Sequence, residues 1–108
     1  MTPELPIEIR NDAGAQRLQA HIGDATAYVA YIEEEGVVAF THTVVPEALR
    51  GRGIGTRLVE AALARARAEG LAVVPRCSLF ADYMRRHPEA HDLLSSSGRT
   101  LLGLGPAD

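Results

Sequence analysis

Apolar and polar positions alternate through the first 45 residues, and the apolar period then lengthens to that of a helix. Leu5, Ile7 and Ile9 recur at every second position and predict a strand over Leu5–Arg10. Asn11, Asp12 and Gly14 mark a turn behind it. Leu18, Ala20 and Ile22 repeat the pattern in a second strand, Arg17–Ile22. A third, Thr26–Ile32, is rich in β-branched and aromatic residues. Glu33, Glu34, Glu35 and Gly36 form a short acidic turn in which glycine can take a positive φ. Val37–Val45 reads as a fourth strand. Connections this short join antiparallel neighbours, so the four strands are expected to form a meander.

From Gly53 to Glu69 the pattern is that of an amphipathic helix. Ile54, Leu58, Val59, Ala61, Ala62 and Leu63 form the apolar stripe, and Thr56, Arg57, Glu60, Arg67 and Glu69 take the other side. Gly70 is a helix stop. Leu71–Val74 is a short apolar run expected of a buried fifth strand. Pro75 cannot donate to a ladder, so the strand should end there or lie beside a gap. Ser78 is expected to cap a second helix, Leu79–Arg86, with Leu79, Phe80, Tyr83, Met84 and His87 on its apolar face. Pro88 stops that helix and can open a third, which should end in the Ser95–Gly98 run. Arg99–Leu104 fits strand or coil. The expectation is an α+β fold in one domain spanning residues 1–108, with the meander, a long helix, a fifth strand and short C-terminal helices.

Composition narrows the function classes. Of 108 residues, 46% are hydrophobic and 23% charged, which suits one domain with a modest core. All eleven basic residues are Arg, yet the net charge is −3, which argues against a nucleic-acid surface. The single Cys precludes an internal disulfide. No signal-like segment opens the chain, and no apolar run reaches the roughly 18 residues a membrane helix requires. A cytoplasmic protein without a membrane partner is expected, as a monomer or weak homodimer. His87, His91 and Cys77 lack a zinc-site spacing, so no metal is implied.

The candidate chemistry lies between the fourth strand and the long helix. Arg50, Gly51, Arg52, Gly53, Ile54 and Gly55 form a basic turn with glycine at alternate positions. Glycine lets the backbone approach a ligand closely. The helix behind it presents unpaired N–H groups and a positive dipole end, which suits a phosphate. A P-loop requires Lys and then Ser/Thr after its last glycine; here Thr56 follows Gly55 directly, and the chain contains no Lys. A dinucleotide fingerprint requires G-x-G-x-x-G, and here the third glycine comes one residue early.

The R-x-x-G-x-G run Arg50–Gly55, preceded by Val44, Val45 and Pro46, resembles the pyrophosphate loop of GNAT-type acetyltransferases. The longer pattern resembles a minimal, roughly 100-residue subgroup of small GNAT-like proteins. It comprises Thr41-His42-Thr43, the loop, Pro75-x-Cys77-Ser78 and Arg85-Arg86-His87-Pro88-Glu89. The resemblance implies a GNAT-like fold over most of the chain. It implies that acetyl-CoA is the cosubstrate and that an amine is the acceptor. A typical member carries two further strands that shape the acceptor pocket, and the pattern here offers no counterpart.

By the same resemblance, backbone groups at Val44 and Val45 would hold the acetyl and pantetheine arm. Arg50, Gly51, Arg52, Gly53, Ile54, Gly55 and Thr56 would hold the pyrophosphate. Cys77 lies just past the fifth strand, where it could accept an acetyl group or act as an acid near the sulfur; its place before a helix favours a reactive thiol. An inert buried Cys is the alternative. His42 shares a strand face with Val44 and could take the amine proton, or simply hydrogen-bond Thr41 or Thr43. Tyr83 could protonate the CoA thiolate, or pack among Leu79, Phe80 and Met84. His87, His91, Tyr28 and Tyr31 read as structural. The leading expectation is an acetyl-CoA-dependent N-acyltransferase acting on a small amine or an exposed amino group. A non-catalytic CoA- or acyl-CoA-binding module is the second, and a structural partner whose Arg/Gly loop meets another protein's acidic face is the third.

Overall fold

A computed structural model describes residues 7–105. Five strands form one sheet in the order β1-β2-β3-β4-β5: Glu8–Asp12, Arg17–Ile22, Ala25–Glu34, Val37–Val44 and Ala72–Pro75. The first four are antiparallel neighbours, and β5 lies parallel to β4. The parallel step is made by α1 (Ile54–Glu69), which crosses from the end of β4 to the start of β5. Behind β5 come α2 (Ser78–Arg86), a 3₁₀ segment Pro88–Leu93 and α3 (Ser96–Leu101). The expected α+β meander with a long helix and a fifth strand is therefore the architecture observed.

The period-two pattern places one strand face against α1 and α2. Ala20, Ala27, Val29, Val38 and Val73 are fully buried there, beneath Leu58 and Val59 of α1. Phe40 of β4 stacks on Phe80 of α2 with ring centroids 4.3 Å apart, tying the helix to the strand. Arg65 of α1 reaches over the rim to Glu33 at 3.1 Å and back to Glu69 at 2.8 Å. Arg67 makes a two-pronged contact with Asp92, at 2.7 and 3.0 Å, and clips the end of α1 to the 3₁₀ segment.

Several boundaries differ from expectation. Leu5 and Pro6 lie outside the described residues, and β1 runs on through Asn11 and Asp12, where a turn was expected. Those polar residues stay in the strand because they pair with Leu18 and Arg17, and because Tyr31 donates to Asn11 Oδ1 at 2.6 Å. β3 extends through Glu33 and Glu34, so the turn contracts to Glu35 and Gly36, both at positive φ. Proline at 75 is the last residue of β5 and pairs with Phe40. Ser78 is the first residue of α2, not its cap; Cys77 holds the cap position without a side-chain bond.

The C-terminal region differs most. The Ser-rich run expected to end a helix instead begins one. Ser95 is the N-cap of α3, and its hydroxyl accepts from Gly98 N–H at 2.9 Å. Arg99 to Leu101, read as strand or coil, are helical. A serine cap and an apolar Leu101–Leu102 pair over one turn gave too short a signal against the glycines around them.

Leu94 bridges Val73 on the far edge of β5, and Ser95 N–H donates to Val73 O at 3.0 Å. A Cβ on Gly98 would lie 2.5 Å from that same carbonyl oxygen. Gly98→Ala is therefore expected to destabilise the fold by about 1–3 kcal/mol, the usual cost of overpacking. Urea denaturation midpoints would measure it, and a midpoint unchanged from the parent would show that α3 can move away freely.

Candidate functional site

The last hydrogen bond between β4 and β5 runs from Cys77 N–H to Phe40 O at 2.9 Å. Beyond it the two strands part. Pro75 supplies no donor, and Arg76 N–H turns back to Val74 O at 3.1 Å, so the chain leaves the sheet and enters α2. On the other side, β4 carries a bulge. Tyr31 faces Phe40 and Ala30 faces His42, which leaves Thr41 without a partner residue. The bulge re-aims the side chains that follow. Thr41 and His42 lie on the face away from α1 and α2, where Thr41 Oγ1 donates to Ala30 O at 3.2 Å and His42 meets Tyr28 edge-on. Thr43 pairs with buried Val29 and so returns to the helix side. There its hydroxyl lies 3.3 Å from Cys77 Sγ, across the gap between the strands.

The glycine-rich turn stands at the helix-side end of this gap. Pro46 leads into a single 3₁₀ turn, Glu47–Leu49, anchored by buried Leu49. Gly51 and Gly53 then adopt positive φ, +78° and +73°, with no atom within 4 Å of a would-be Cβ. Gly53 is the N-cap of α1 and its carbonyl takes Arg57 N–H at 3.1 Å. The amides of Ile54, Gly55 and Thr56 are left without acceptors inside the helix. The first turn of α1 carries no acidic side chain, although one would be favourable there. Arg50 is tethered by Nε to Val45 O at 3.3 Å, and Arg52 is exposed. These backbone donors and cations, with open space over the two glycines, fit an anion such as a pyrophosphate.

The residues singled out earlier divide by environment. Ile54 is 1% exposed, so only its amide can serve a ligand. Gly55 is glycine for a different reason from Gly51 and Gly53. Its Cβ would lie 3.1 Å from Leu79 Cδ2 and 3.9 Å from Val45, so it permits α2 and β4 to close on the start of α1. Val44 is 39% exposed on the face it shares with His42, and Val45 packs beside the core. Cys77 is 8% exposed, buried beside Thr43. His42 lies on the opposite face of the sheet, its Nδ1 3.3 Å from Thr41 Oγ1.

Tyr83 occupies a third place, the groove between α2 and α1. Its ring stacks on His87 with centroids 4.0 Å apart. Partial burial holds its phenol above the ordinary range, and the Glu60 and Glu89 carboxylates push it further up against a smaller opposing effect of Arg86. Cys77 and Thr43 therefore come together, whereas His42 and Tyr83 flank them from different sides. Thr43 was missed by sequence reasoning. Strict alternation from buried Phe40 would have placed Thr43 on the opposite face, and only the bulge returns it to the side of Cys77.

Two comparisons with known proteins bear on this arrangement. The pattern of the family described as GCN5-related N-acetyl-transferase matches residues 17–93, more than half of the chain. The match takes in β2 to β5, the glycine-rich turn, α1 and α2. The solution structure of a GCN5-like N-acetyltransferase candidate from Staphylococcus aureus superposes with a TM-score of 0.64 at 21% identity. That superposition covers 87% of this chain and 91% of the other, and at such identity it establishes the fold alone.

The environment of Tyr83 gives a direct test. Its ionisation midpoint is expected above that of a free tyrosine, about 10, because burial and nearby carboxylates disfavour the phenolate. A shift in that direction leaves its contribution to stability complete below the unfolded-chain value, and the contribution disappears as the pH rises through the folded-state value. Subtracting the ultraviolet titration of Tyr83→Phe from that of the parent isolates the group. Glu60→Gln should bring the midpoint down, and a midpoint at or below that of a free tyrosine would contradict the assignment.

Proposed function

We propose that this chain, which belongs to the GCN5-related N-acetyltransferase family, moves an acetyl group from acetyl-CoA to an amine at the gap between β4 and β5. One observation carries the reading: the anion-binding end of α1 and the parting of the two strands adjoin one another, with Val45 beside Gly55 and Leu79. An extended molecule with a phosphate at one end and a reactive group at the other could span both. The amides of Gly51 to Thr56 and the side chains of Arg50 and Arg52 would take the pyrophosphate, the Arg50 amide itself being bound to Glu47 O at 3.1 Å. Backbone groups of Val44 and Val45, on the edge that β5 leaves open, would take the arm that follows.

When bound, acetyl-CoA supplies a thioester carbon open to attack. In the transfer a neutral amine forms the N–C bond, the C–S bond breaks, the amine gives up a proton and the departing sulfur takes one. His42, on the open face beside the gap, is the proposed proton acceptor. Tyr83 is the proposed proton donor, because a phenol is neutral and carries its proton at ordinary pH. Cys77 and Thr43 would line the gap near the sulfur. Cys77 is too enclosed to be offered as an obligatory acetyl carrier, and direct transfer needs no such step. A second reading, a CoA-binding module without turnover, has its own support: His42, Cys77 and Tyr83 stand in three separate environments.

Calorimetric titration with CoA and acetyl-CoA tests the shared part of both readings. Gly53→Ala places a methyl group over open space but on a left-handed backbone that strains any L side chain, so its effect on the ligand is read beside a melting curve of the free variant. It is expected to weaken CoA at least tenfold with the fold retained, and unchanged affinity would remove the loop from the site. Arg52→Ala should cost more at low salt than at high salt, since its charge acts across solvent with a screening length of about 10 Å at 0.1 M.

Alkylation of Cys77 by iodoacetamide is expected to be slower than that of a free thiol, because access is limited, and slower again with CoA bound. Cys77→Ala is expected to retain transfer to an accepted amine. Loss of transfer in a folded Cys77→Ala protein, together with an acetyl adduct on Cys77 by intact mass, would establish a covalent step instead.

A further inference from the structure

The sheet face away from α1 and α2 carries an open depression of about 480 Å³ that runs from the β3–β4 turn to the gap. Its floor is apolar: Ile32, 50% exposed, with Val37, Ala39 and Val74. Its two ends carry opposite charge. Glu34 and Glu35 stand at the turn, and Arg76 stands with Thr41 where β4 and β5 part. None of these three charged side chains has an ion-pair partner among the described residues. Glu33, by contrast, is committed to Arg65 on the other face. Glu34 lies opposite Val37, four residues along β4 from Thr41. At about 3.3 Å per residue the ends of the depression are roughly 13 Å apart.

Resting on the transferase reading above, we propose that the acceptor is a linear aliphatic diamine lying in this depression, with one amine at the gap and the other at Glu34 and Glu35. Each part of the layout has a counterpart in such a molecule. The attacking nitrogen must be neutral, and the positive charge of Arg76 beside it disfavours its protonated form. The distant nitrogen remains protonated and meets two carboxylates. The methylenes between cover Ile32, Val37 and Ala39. An anionic acceptor would be repelled at the turn, and a short monoamine would leave both the apolar floor and the carboxylates unused. The transfer is balanced as before: the near amine gains the acetyl group and loses a proton, and acetyl-CoA yields CoA as the free thiol.

The test is a graded series of α,ω-diamines against monoamines of the same chain length, measured both as ligands of the CoA-loaded protein by calorimetry and as acetyl acceptors with acetyl-CoA. Binding is expected to strengthen with length until the second amine reaches the turn. At that length the diamine should bind at least fivefold more tightly than its monoamine at low salt, with the gap narrowing at high salt. The double variant Glu34→Gln/Glu35→Gln should abolish the preference while CoA affinity is unchanged. Equal binding of diamines and monoamines, or a preference that survives in the double variant, would overturn the proposal. Glutamate-dependent diamine binding without acetylation would uphold the depression as the diamine site and overturn the transferase reading.

Discussion

The parting of β4 from β5 is the constraint on which the rest of this structure depends. The ladder follows β5 to its last residue, Pro75, while β4 runs on to Val44 without it. Here it is ended from both sides. Pro75 brings no donor and Arg76 folds back on Val74, while the extra residue at Thr41 bends β4. One bond, Cys77 N–H to Phe40 O, marks the last point of contact. The Phe40–Phe80 stack, immediately adjacent, keeps α2 on the sheet after the ladder has ended. The result is an open edge of β4 held in place by packing.

Two close approaches hold the surroundings of that edge, tight at Gly55 and closed to any side chain at Gly98. Gly55 lets Leu79 and Val45 close on the first turn of α1, which brings the helix terminus up to the gap. Gly98 lets α3 lie on the carbonyl of Val73, where it covers the outer edge of β5 and buries Val74. Gly51 and Gly53 are different in kind. They are glycines for their left-handed backbone, and they leave open space above it. A run that reads as one uniform Arg/Gly motif thus contains residues doing two jobs, one toward the protein and one toward solvent.

Charge is distributed with the same economy. The helix side of the gap has Arg50 and Arg52 beside unpaired amides and no acid in the first turn of α1. The opposite face has carboxylates at the β3–β4 turn and the Arg76 guanidinium at the gap. The acidic residues that look like one cluster in the chain are separated by strand alternation, Glu33 to Arg65 and the helix side, Glu34 to the open face. A net charge of −3 conceals this arrangement entirely.

Local patterning determined a great deal about this protein. Period-two alternation, short polar turns and the long amphipathic run specify the meander, α1 and the order of elements, because burial of one face dominates each choice. The glycine-rich turn at a helix start was legible for the same reason: backbone conformation and helix polarity are local properties. What tertiary structure alone decided was which side chains meet. The bulge at Thr41 belongs to the pairing of β4 with β3, and it reverses the facing of every residue beyond it. It brought Thr43 to Cys77 and sent His42 to the other face, while the packing of α2 on α1 put Tyr83 in the groove between them. Likewise, Ser95 became a helix cap only because β5 offered an edge for Leu94 and a carbonyl for Ser95. Such contacts join residues distant in the chain, and a pattern read along one dimension carries no term for them.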